Sequence, residues 1–462
     1  MQSGSPVSTK KFREISVSLS TDTIKDVLEF VSVVEDYRLA QLEIRKGPQF
    51  IVDPPSAVEF LNTDGAAVSC RAYGHPLPEI TWMTEDNNVI RTIPDIREVY
   101  MNGTVVFLPF SSEMYRQDVH ANVYRCTASN IYGRIVSSAV AVRAAMRQSY
   151  TGQVYDKYVI KGNTAVLQCR IPSYVSDDVI VTSWLTEDDE KIDLNSSYDL
   201  NSRYSAFEDG YFHIRDVQTS DDGLKFWCQM KHLLSGDVLT SSSSGTLHVK
   251  EPRGSMPPQV LHSKQEVRIQ AGQNGQIPCV AEGYPPPNIS WFLIDSRSDR
   301  YLIKPSKRFL LRIGSLVILE ATRDDSGLYE CYISNSVGNR RTTTKLVVSA
   351  RLAATIIPKQ QVVDIGQSAT LNCSVTGFPV ENVEWRKNGY PLERNGMTSA
   401  HLLNINSMSR NDGGMYQCFV ANDVNSVQAT SQVLLGEYDY LEVILYQYER
   451  VLQAGTENKF SN

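Results

Sequence analysis

One pattern of cysteine, tryptophan and tyrosine recurs along the chain and constrains its fold more than any other feature. In the clearest copy, Trp291 follows Cys279 by 12 residues, and Tyr329-Glu330-Cys331 closes the unit 52 residues after Cys279. In an immunoglobulin sandwich, two such cysteines bridge the two sheets, the tryptophan packs on the bridge, and the tyrosine hydroxyl bonds to backbone at a corner. The pattern therefore predicts an all-β, immunoglobulin-type fold.

The pattern occurs four times and uses all eight cysteines. The pairs are Cys70 with Cys126, Cys169 with Cys228, Cys279 with Cys331, and Cys373 with Cys418. Eight cysteines allow 105 pairings, but the repeat favours the one in which each pair lies inside its own unit. Closing a loop of about fifty residues stabilises each unit by roughly 4 kcal/mol on the chain-entropy account. We therefore expect four tandem, I-set-like β-sandwiches, each with its own disulfide.

The repeat also divides the chain. We place the sandwiches at 47–145, 146–251, 252–350 and 351–436, between a non-immunoglobulin segment at 1–46 and the truncated start of a fifth sandwich at 437–462. Charges interrupt the apolar run of the first segment, so no secretion signal is recognisable there. That segment is either a disordered or artefactual stretch or a short amphipathic helix, since Val27, Phe30 and Val34 keep helical spacing. The truncated start is expected to be partly disordered without a second sheet.

The connection between the second and third sandwiches is longer than the other two. Residues 249–258 are rich in proline and glycine, whereas few residues are spare at the other junctions. The chain is therefore either an extended rod with one loose joint or a horseshoe. In the horseshoe, the first sandwich meets the fourth and the second meets the third.

Charge and cysteine use point to an extracellular protein that does not bind nucleic acid. The formal net charge is −7, whereas nucleic-acid-binding domains usually carry a basic excess. Paired cysteines at sandwich spacing require an oxidising compartment. Four Asn-x-Ser/Thr sequons are candidate glycosylation sites. They begin at Asn102, Asn195, Asn288 and Asn372.

Motifs for catalysis and for cofactors are missing from the sequence. It contains no zinc-protease motif, no nucleophile elbow and no phosphate-binding glycine loop, and its seven histidines are scattered without metal-ligand spacing. The basic run from Arg297 to Arg312 suits either heparin-like polyanions or a solvated sheet face. We predict no enzymatic activity, no cofactor and no metal.

Three irregular stretches are more specific than the sandwich pattern. The corner Glu113–Cys126 is two residues longer than usual, Ile171–Glu190 stretches the connection between strands B and C, and Phe226–Gly236 begins with phenylalanine in place of the corner tyrosine. In these stretches, and from about Gly47 to its end, the chain resembles the Dscam (Down syndrome cell adhesion molecule) family in its arthropod form.

This resemblance implies a horseshoe of four domains and homophilic binding between identical molecules. It implies roles in axon guidance, dendrite self-avoidance and, in some arthropods, pathogen recognition, at the neuronal cell surface with membrane attachment outside this chain. It also allows heterophilic protein ligands.

In the family, edge strands of the second and third domains pair with their copies. The matching residues are Val154, Tyr155, Asp156, Lys157, Tyr158 and Val159, and Gln265, Glu266, Val267, Arg268 and Ile269. An exposed edge strand offers unpaired backbone groups, and antiparallel self-pairing places Asp156 near Lys157 of a second copy. The alternative for each segment is an ordinary edge strand guarded by charge.

Other functions remain open at this level. The sandwiches also suit the ectodomain of a receptor tyrosine kinase or phosphatase, which a cytoplasmic catalytic domain in a longer transcript would reveal. A secreted immune-recognition protein is another alternative. An intracellular muscle-type array would instead be marked by free thiols.

Overall fold

The computed structural model describes residues 45–194, 202–392 and 397–436. Within these ranges the chain forms four β-sandwiches in chain order, here called domains 1 to 4, which confirms the predicted all-β fold. The expectations for residues 1–44 and 437–462, and the candidate glycosylation site Asn195, lie outside the described residues.

Domain 1 contains ten strands. They are β1 (Lys46–Val52), β2 (Ala57–Leu61), β3 (Ala66–Ser69), β4 (Arg71–His75), β5 (Glu79–Thr84), β6 (Arg97–Val99), β7 (Thr104–Phe107), β8 (Ala121–Asn130), β9 (Gly133–Val136) and β10 (Val140–Ala145). One sheet has the order β2-β10-β8-β5 with β9 beside β8, and it faces the ribbons β3-β7-β6 and β1-β4. A 3₁₀ turn (Ser112–Met114) and the one-turn helix α1 (Gln117–His120) lead into β8.

Domain 2 also contains ten strands in the part that the structure describes, 146–194 and 202–251. They are β11 (Gln153–Val154), β12 (Lys157–Ile160), β13 (Ala165–Arg170), β14 (Val179–Thr186), β15 (Lys191–Asp193), β16 (Tyr204–Ala206), β17 (Tyr211–Ile214), β18 (Lys225–His232), β19 (Val238–Thr240) and β20 (Gly245–Lys250). The sheets are β11-β13-β17-β16 and β12-β20-β18-β14-β15, with β19 beside β18. A 3₁₀ turn (Thr219–Asp221) precedes β18.

Domains 3 and 4 share one strand. Domain 3 is built from β21 (Met256–Ser263), β22 (Glu266–Gln270), β23 (Gly275–Tyr284), β24 (Asn288–Ile294), β25 (Arg300–Leu302), β26 (Phe309–Arg312), β27 (Ser315–Ile318), the 3₁₀ turn Arg323–Asp325, β28 (Gly327–Asn335) and β29 (Gly338–Ile357). Domain 4 continues with β30 (Gln360–Asp364), β31 (Ala369–Phe378), β32 (Asn382–Lys387), β33 (Tyr390–Pro391), β34 (Met397–Ser399), β35 (Leu402–Ile405), β36 (Gly414–Ala421) and β37 (Ser426–Gly436). Because β29 pairs with β28 in domain 3 and with β31 in domain 4, no loop separates these domains.

Each sandwich encloses one disulfide and one buried tryptophan. The bridges are Cys70–Cys126, Cys169–Cys228, Cys279–Cys331 and Cys373–Cys418, the pairing that the repeat predicts. The tryptophans are Trp82, Trp184, Trp291 and Trp385, all at most 3% exposed. Four separate apolar cores follow from this arrangement.

Tyrosine corners stabilise three of the four domains. The hydroxyls of Tyr329 and Tyr416 donate to the carbonyl oxygens four residues upstream, at 2.8 and 2.7 Å. In domain 1 the corner is two residues longer and contains α1, and the Tyr124 hydroxyl donates to the Val119 carbonyl, five residues upstream, at 2.8 Å. Phe226 has no hydroxyl, so the corner of domain 2 lacks this hydrogen bond.

Replacing Tyr329 by phenylalanine should lower the free energy of unfolding of domain 3 by about 1 kcal/mol, because it leaves a buried carbonyl without its donor. Chemical denaturation followed by tryptophan fluorescence measures the loss. Tyr332→Phe, which removes the same atom from a half-buried ring on the same strand, is the matched control. Equal losses in both variants would contradict the corner assignment.

The four domains form a horseshoe, so the prediction of a horseshoe is confirmed and the alternative of an extended rod is wrong. The chain reverses between β20 and β21, and domain 2 then packs against domain 3 while domain 1 packs against domain 4. The inserted loop of domain 2 also contacts domain 1. The Asp178 carboxylate in this loop lies 2.5 Å from the Arg143 guanidinium of domain 1.

Candidate recognition surface

The segment Val154–Val159 lies at an edge of both sheets of domain 2. Its first part, β11, pairs only with β13, and its second part, β12, pairs in parallel only with β20. Both strands are terminal in their sheets, so within the described residues their outer backbone groups face no further strand. Such an edge is a template for pairing with another chain.

The segment crosses from one sheet to the other, and this crossing determines which of its side chains are buried and which are exposed. Val154 and Val159 are buried and anchor the two strands in the core, whereas Tyr155 and Tyr158 are 56% and 55% exposed. Of the six predicted residues, the two valines therefore serve the domain itself. The two tyrosines, with the charged pair between them, remain available to a partner.

Cations flank both exposed tyrosines. The Lys250 ammonium lies 4.1 Å from the centroid of the Tyr158 ring, which also stacks on His248 at 4.8 Å. The Arg170 guanidinium lies 5.4 Å from the Tyr155 centroid. These contacts hold the rings in defined positions on the surface, as aromatic anchors at interfaces require.

The charged pair at the centre of the segment is partly engaged within the domain. The Asp156 carboxylate accepts a hydrogen bond of 2.8 Å from the Thr246 backbone N–H and lies 3.8 Å from His248 Nε2. The backbone hydrogen bond from Thr246 holds the pKa of Asp156 below its usual value. Asp156 therefore carries its charge at neutral pH.

The second segment, Gln265–Ile269, is an edge that intrachain ion pairs guard. Its residues 266–269 lie on β22, which among the described strands pairs only with β29, in parallel. Arg268 contacts the Glu266 carboxylate at 2.6 Å and also contacts Asp423 of domain 4. Ile269 is buried in the core of domain 3. This edge is thus more strongly committed to its own chain than the edge of domain 2.

Polar contacts between domains 2 and 3 fix the two edges relative to each other. The Asn163 side chain accepts from the Gly283 N–H and donates to the Gly283 carbonyl, both at 3.0 Å. The N–H of Ile160, at the end of β12, donates to Glu282 at 2.8 Å. No sequence signal marks Asn163, because it lies in an ordinary Gly-Asn-Thr turn.

Two buried glutamines join domain 4 to domain 1. The Gln417 amide donates to the Val136 carbonyl and accepts from the Val136 N–H, both at 2.8 Å. Gln432 accepts from the Gly47 N–H at 3.0 Å and donates to the Arg45 carbonyl at 3.1 Å. Each side chain thus satisfies a backbone donor and a backbone acceptor of the other domain.

Apolar contact supports the same junction. Buried Met415 forms a small cluster with Ala128 and Ile135 of domain 1. No sequence signal marks the two glutamines or Met415, because each is an ordinary strand residue within its own domain.

Three candidate glycosylation sites lie within the described residues. Asn102, Asn288 and Asn372 are all exposed, so each can accept a glycan without unfolding of its domain.

Over 45–194, 202–392 and 397–436, no group of three or more His, Cys, Asp or Glu side chains is arranged to hold a metal ion. The helices in the same ranges are all too short or too polar to cross a membrane.

Comparison with protein families and with curated proteins finds several cell adhesion molecules similar to this chain. The immunoglobulin-domain family model matches residues 257–335 and 354–422. Cell adhesion molecule Dscam1 of Drosophila melanogaster is 38% identical over 395 residues, which cover 85% of this chain and 19% of the relative. Human DSCAM is 34% identical over 384 residues, which cover 82% of this chain and 18% of the relative. The chain thus spans about a fifth of the length of these relatives.

Solved structures agree in both sequence and shape. The N-terminal four Ig domains of Dscam1 isoform 4.44 superpose with a TM-score of 0.78 at 37% identity, covering 85% of this chain and all of that one. A structure described as the structural basis for Dscam isoform specificity has a TM-score of 0.79 at 36% identity and the same coverage. The N-terminal eight Ig domains of a DSCAM isoform give 0.80 at 36% identity, covering 85% of this chain and 58% of that one.

Proposed function

Because the chain belongs to the Dscam family of cell adhesion molecules, we propose that it recognises a second copy of itself through the edge strands of domains 2 and 3. The observation that carries the proposal is the Val154–Val159 edge, whose backbone faces no further strand and whose two tyrosines are exposed. A relative of the same shape whose structure addresses isoform specificity supports it.

The edge of domain 2 is self-complementary about its centre. If a two-fold axis passes between Asp156 and Lys157, antiparallel pairing sets each of these residues opposite the other in the second copy. The same axis sets Tyr155 opposite Tyr158. The interface would then contain two aromatic pairs and two opposite-charge pairs, both of which stabilise antiparallel strands.

The edge of domain 3 has the same property about Val267. A two-fold axis there sets Glu266 opposite Arg268 of the second copy. Because Arg268 already contacts Glu266 and Asp423, pairing would exchange intrachain for intermolecular ion pairs. Such exchange adds specificity more than affinity, so the edge of domain 2 should supply most of the binding free energy.

The wider role follows from the family. We propose an extracellular, cell-surface protein that acts in axon guidance and dendrite self-avoidance and has no enzymatic activity, cofactor or nucleic-acid partner. The four intradomain disulfides support an oxidising compartment. Heterophilic protein ligands are compatible with the same surface.

Reversing one charge at the centre of the domain 2 edge should weaken self-association. Lys157→Glu would face Asp156 of the second copy in both symmetry-related positions, so we expect about tenfold weaker self-association or more. Analytical ultracentrifugation of the purified chain and bead aggregation measure the loss. Lys231→Glu, the same charge change at an exposed site on β18, is the matched control.

A swap of both charges makes the test sharper. Asp156→Lys combined with Lys157→Glu should bind itself but not the original chain, since only like variants present complementary charges. The Asp156→Lys change also removes the carboxylate that accepts from the Thr246 N–H. Thermal unfolding of the swapped variant is therefore measured to show that the domain still folds. A swapped variant that remains folded and binds the original chain normally would remove this segment from the interface.

A further inference from the structure

Two buried histidines meet at the contact between domains 2 and 3. His213 lies on β17 of domain 2 and His262 lies on β21 of domain 3. His213 Nε2 and His262 Nδ1 are 2.8 Å apart, which is hydrogen-bond distance, and the rings are 0% and 5% exposed. We call these two residues the histidine pair. It joins the two domains directly.

The surroundings of the histidine pair are mostly aromatic. The Tyr211 ring stacks on His262 with centroids 3.9 Å apart, and the Phe207 ring lies 4.6 Å from that of His213. These rings exclude water from the hydrogen bond but supply no acceptor to a second proton.

Charged groups lie around this aromatic shell. Asp209 Oδ2 is 3.9 Å from His262 Nε2, beyond hydrogen-bond distance, and 2.7 Å from the Lys264 ammonium. Arg215 lies beside His213 and donates to the domain 3 carbonyl of Ile313 at 3.0 Å. Other charged residues of the elements packed here are Arg170, Glu208, Glu282 and Arg312.

The hydrogen bond requires that the accepting ring is neutral. One imidazole must donate an N–H while the other offers a lone pair, so protonating the acceptor sets two N–H groups against each other. The two outer nitrogens, His213 Nδ1 and His262 Nε2, have no hydrogen-bond partner within the described residues. An imidazolium here would therefore be buried and poorly solvated.

The pKa values of both histidines are also lowered, which favours the neutral rings. Burial lowers the pKa of His262 to about 4, and the Asp209 carboxylate opposes this shift only in part. Burial, followed by the neighbouring His262 and Arg215, holds the pKa of His213 well below its usual value. At neutral pH both rings are uncharged and the hydrogen bond is intact.

We propose that the histidine pair is an acid-sensitive clasp that holds domains 2 and 3 together at neutral pH and releases their contact when it is protonated. Once the domains separate, each histidine reaches water and accepts a proton freely. Given the proposed function, release would also uncouple the two recognition edges, because Ile160 of β12 belongs to the same contact.

The sign and range of the effect follow from linkage. A histidine with a lowered pKa binds fewer protons in the closed contact than in the open one, so acid favours opening. The contact is most stable above the ordinary histidine pKa of 6.5 and weakens as the pH falls from there towards about 4. For His262 alone, the opening equilibrium should shift by roughly twentyfold between pH 7 and pH 5.

Hydrogen–deuterium exchange of the whole chain tests the clasp. The chain is kept dilute enough to be monomeric, so the result does not depend on self-recognition. After correction for intrinsic rates, the segments 202–216 and 256–263 should lose roughly twentyfold in protection from pH 7 to pH 5. The domain 1 segment 128–136 should keep its protection. Unchanged protection of all three segments would overturn the proposal.

A variant that cannot titrate separates the clasp from general acid effects. His213→Gln with His262→Asn places neutral amides near the bonded nitrogens, so the protection of the contact should no longer depend on pH. His75→Gln, at an exposed histidine of domain 1, is the control and should behave like the original chain. An equal acid response in the double variant would overturn the proposal.

If the double variant does not fold, the titration of each histidine in the original chain provides the test. Deuterium exchange at the histidine C2 position, read by mass spectrometry, reports the titration of each histidine separately. His213 and His262 should both titrate well below pH 6.5, and titration of both near pH 6.5 would overturn the proposal.

Discussion

Replacing Gln417 by glutamate should open the horseshoe at the contact between domains 1 and 4. The amide is completely buried and serves both the N–H and the carbonyl of Val136. A carboxylate can still accept from the N–H, but it turns a negative charge towards the carbonyl oxygen and towards Gln428 Oε1, which now accepts from the amide. An uncompensated buried charge of this kind costs about 3 kcal/mol or more, which shifts the closed-to-open ratio by roughly a hundredfold.

Small-angle X-ray scattering of the purified chain should show this opening as a larger radius of gyration and a longer maximum dimension. Gln367→Glu makes the same chemical change at an exposed position of domain 4 and should leave the scattering curve unchanged. A Gln417→Glu variant that scatters like the original chain would mean that other contacts hold domains 1 and 4 together.

Removing the disulfide of domain 3 should have an effect of similar size on stability. Replacing both Cys279 and Cys331 by alanine frees a loop of 52 residues in the unfolded state. The chain-entropy account predicts a loss of about 4 kcal/mol, within the 2–5 kcal/mol typical of small secreted domains. Because β29 belongs to both sandwiches, domain 4 should lose part of its stability as well.

Differential scanning calorimetry measures this loss as the shift of one unfolding transition. The matched control replaces Cys70 and Cys126, which should destabilise domain 1 and leave the transition of domain 3 in place. Peptide mapping without reduction provides the covalent check. Bridges that cross between domains, or free thiols in the secreted chain, would contradict the assignment of one disulfide to each domain.

The spacing of a few residue types was enough to predict the sandwich fold. Cys279, Trp291 and Tyr329 each have a fixed role inside one sandwich, so their separations in the chain reflect the geometry of that sandwich. The long corner of domain 1 was recognisable as two extra residues. The spacing did not show that this longer corner contains α1. It also did not show that the Tyr124 hydroxyl therefore donates to a carbonyl five residues upstream and not four.

The recognition edge was predicted less completely. The family resemblance indicated the segment Val154–Val159 but not which of its side chains face outwards. The outcome depends on the crossing from β11 to β12, which buries Val154 and Val159 and exposes Tyr155 and Tyr158. A period of two along a single strand would have placed the tyrosines on opposite faces.

The family resemblance implied a horseshoe, but the residues that hold the domains together were outside the reach of the sequence. The linker at 249–258 allowed both a rod and a horseshoe, and its composition did not decide between them. Gln417 lies 281 residues from Val136, and His213 lies 49 residues from His262. No repeat or motif connects such residues, so each of them resembled an ordinary strand residue.

By itself, the sequence determined that this protein is a row of four sandwiches, each with its own disulfide and suited to an oxidising environment. Covalent bridges and strand periodicity act within one domain, so the spacing of the residues that form them can be recognised in the sequence. Only the tertiary structure decided which side chains join the domains and which side chains of the edges stay exposed. Those outcomes rest on single buried side chains that complete the hydrogen bonds of another domain, and such contacts leave no periodic mark in a sequence.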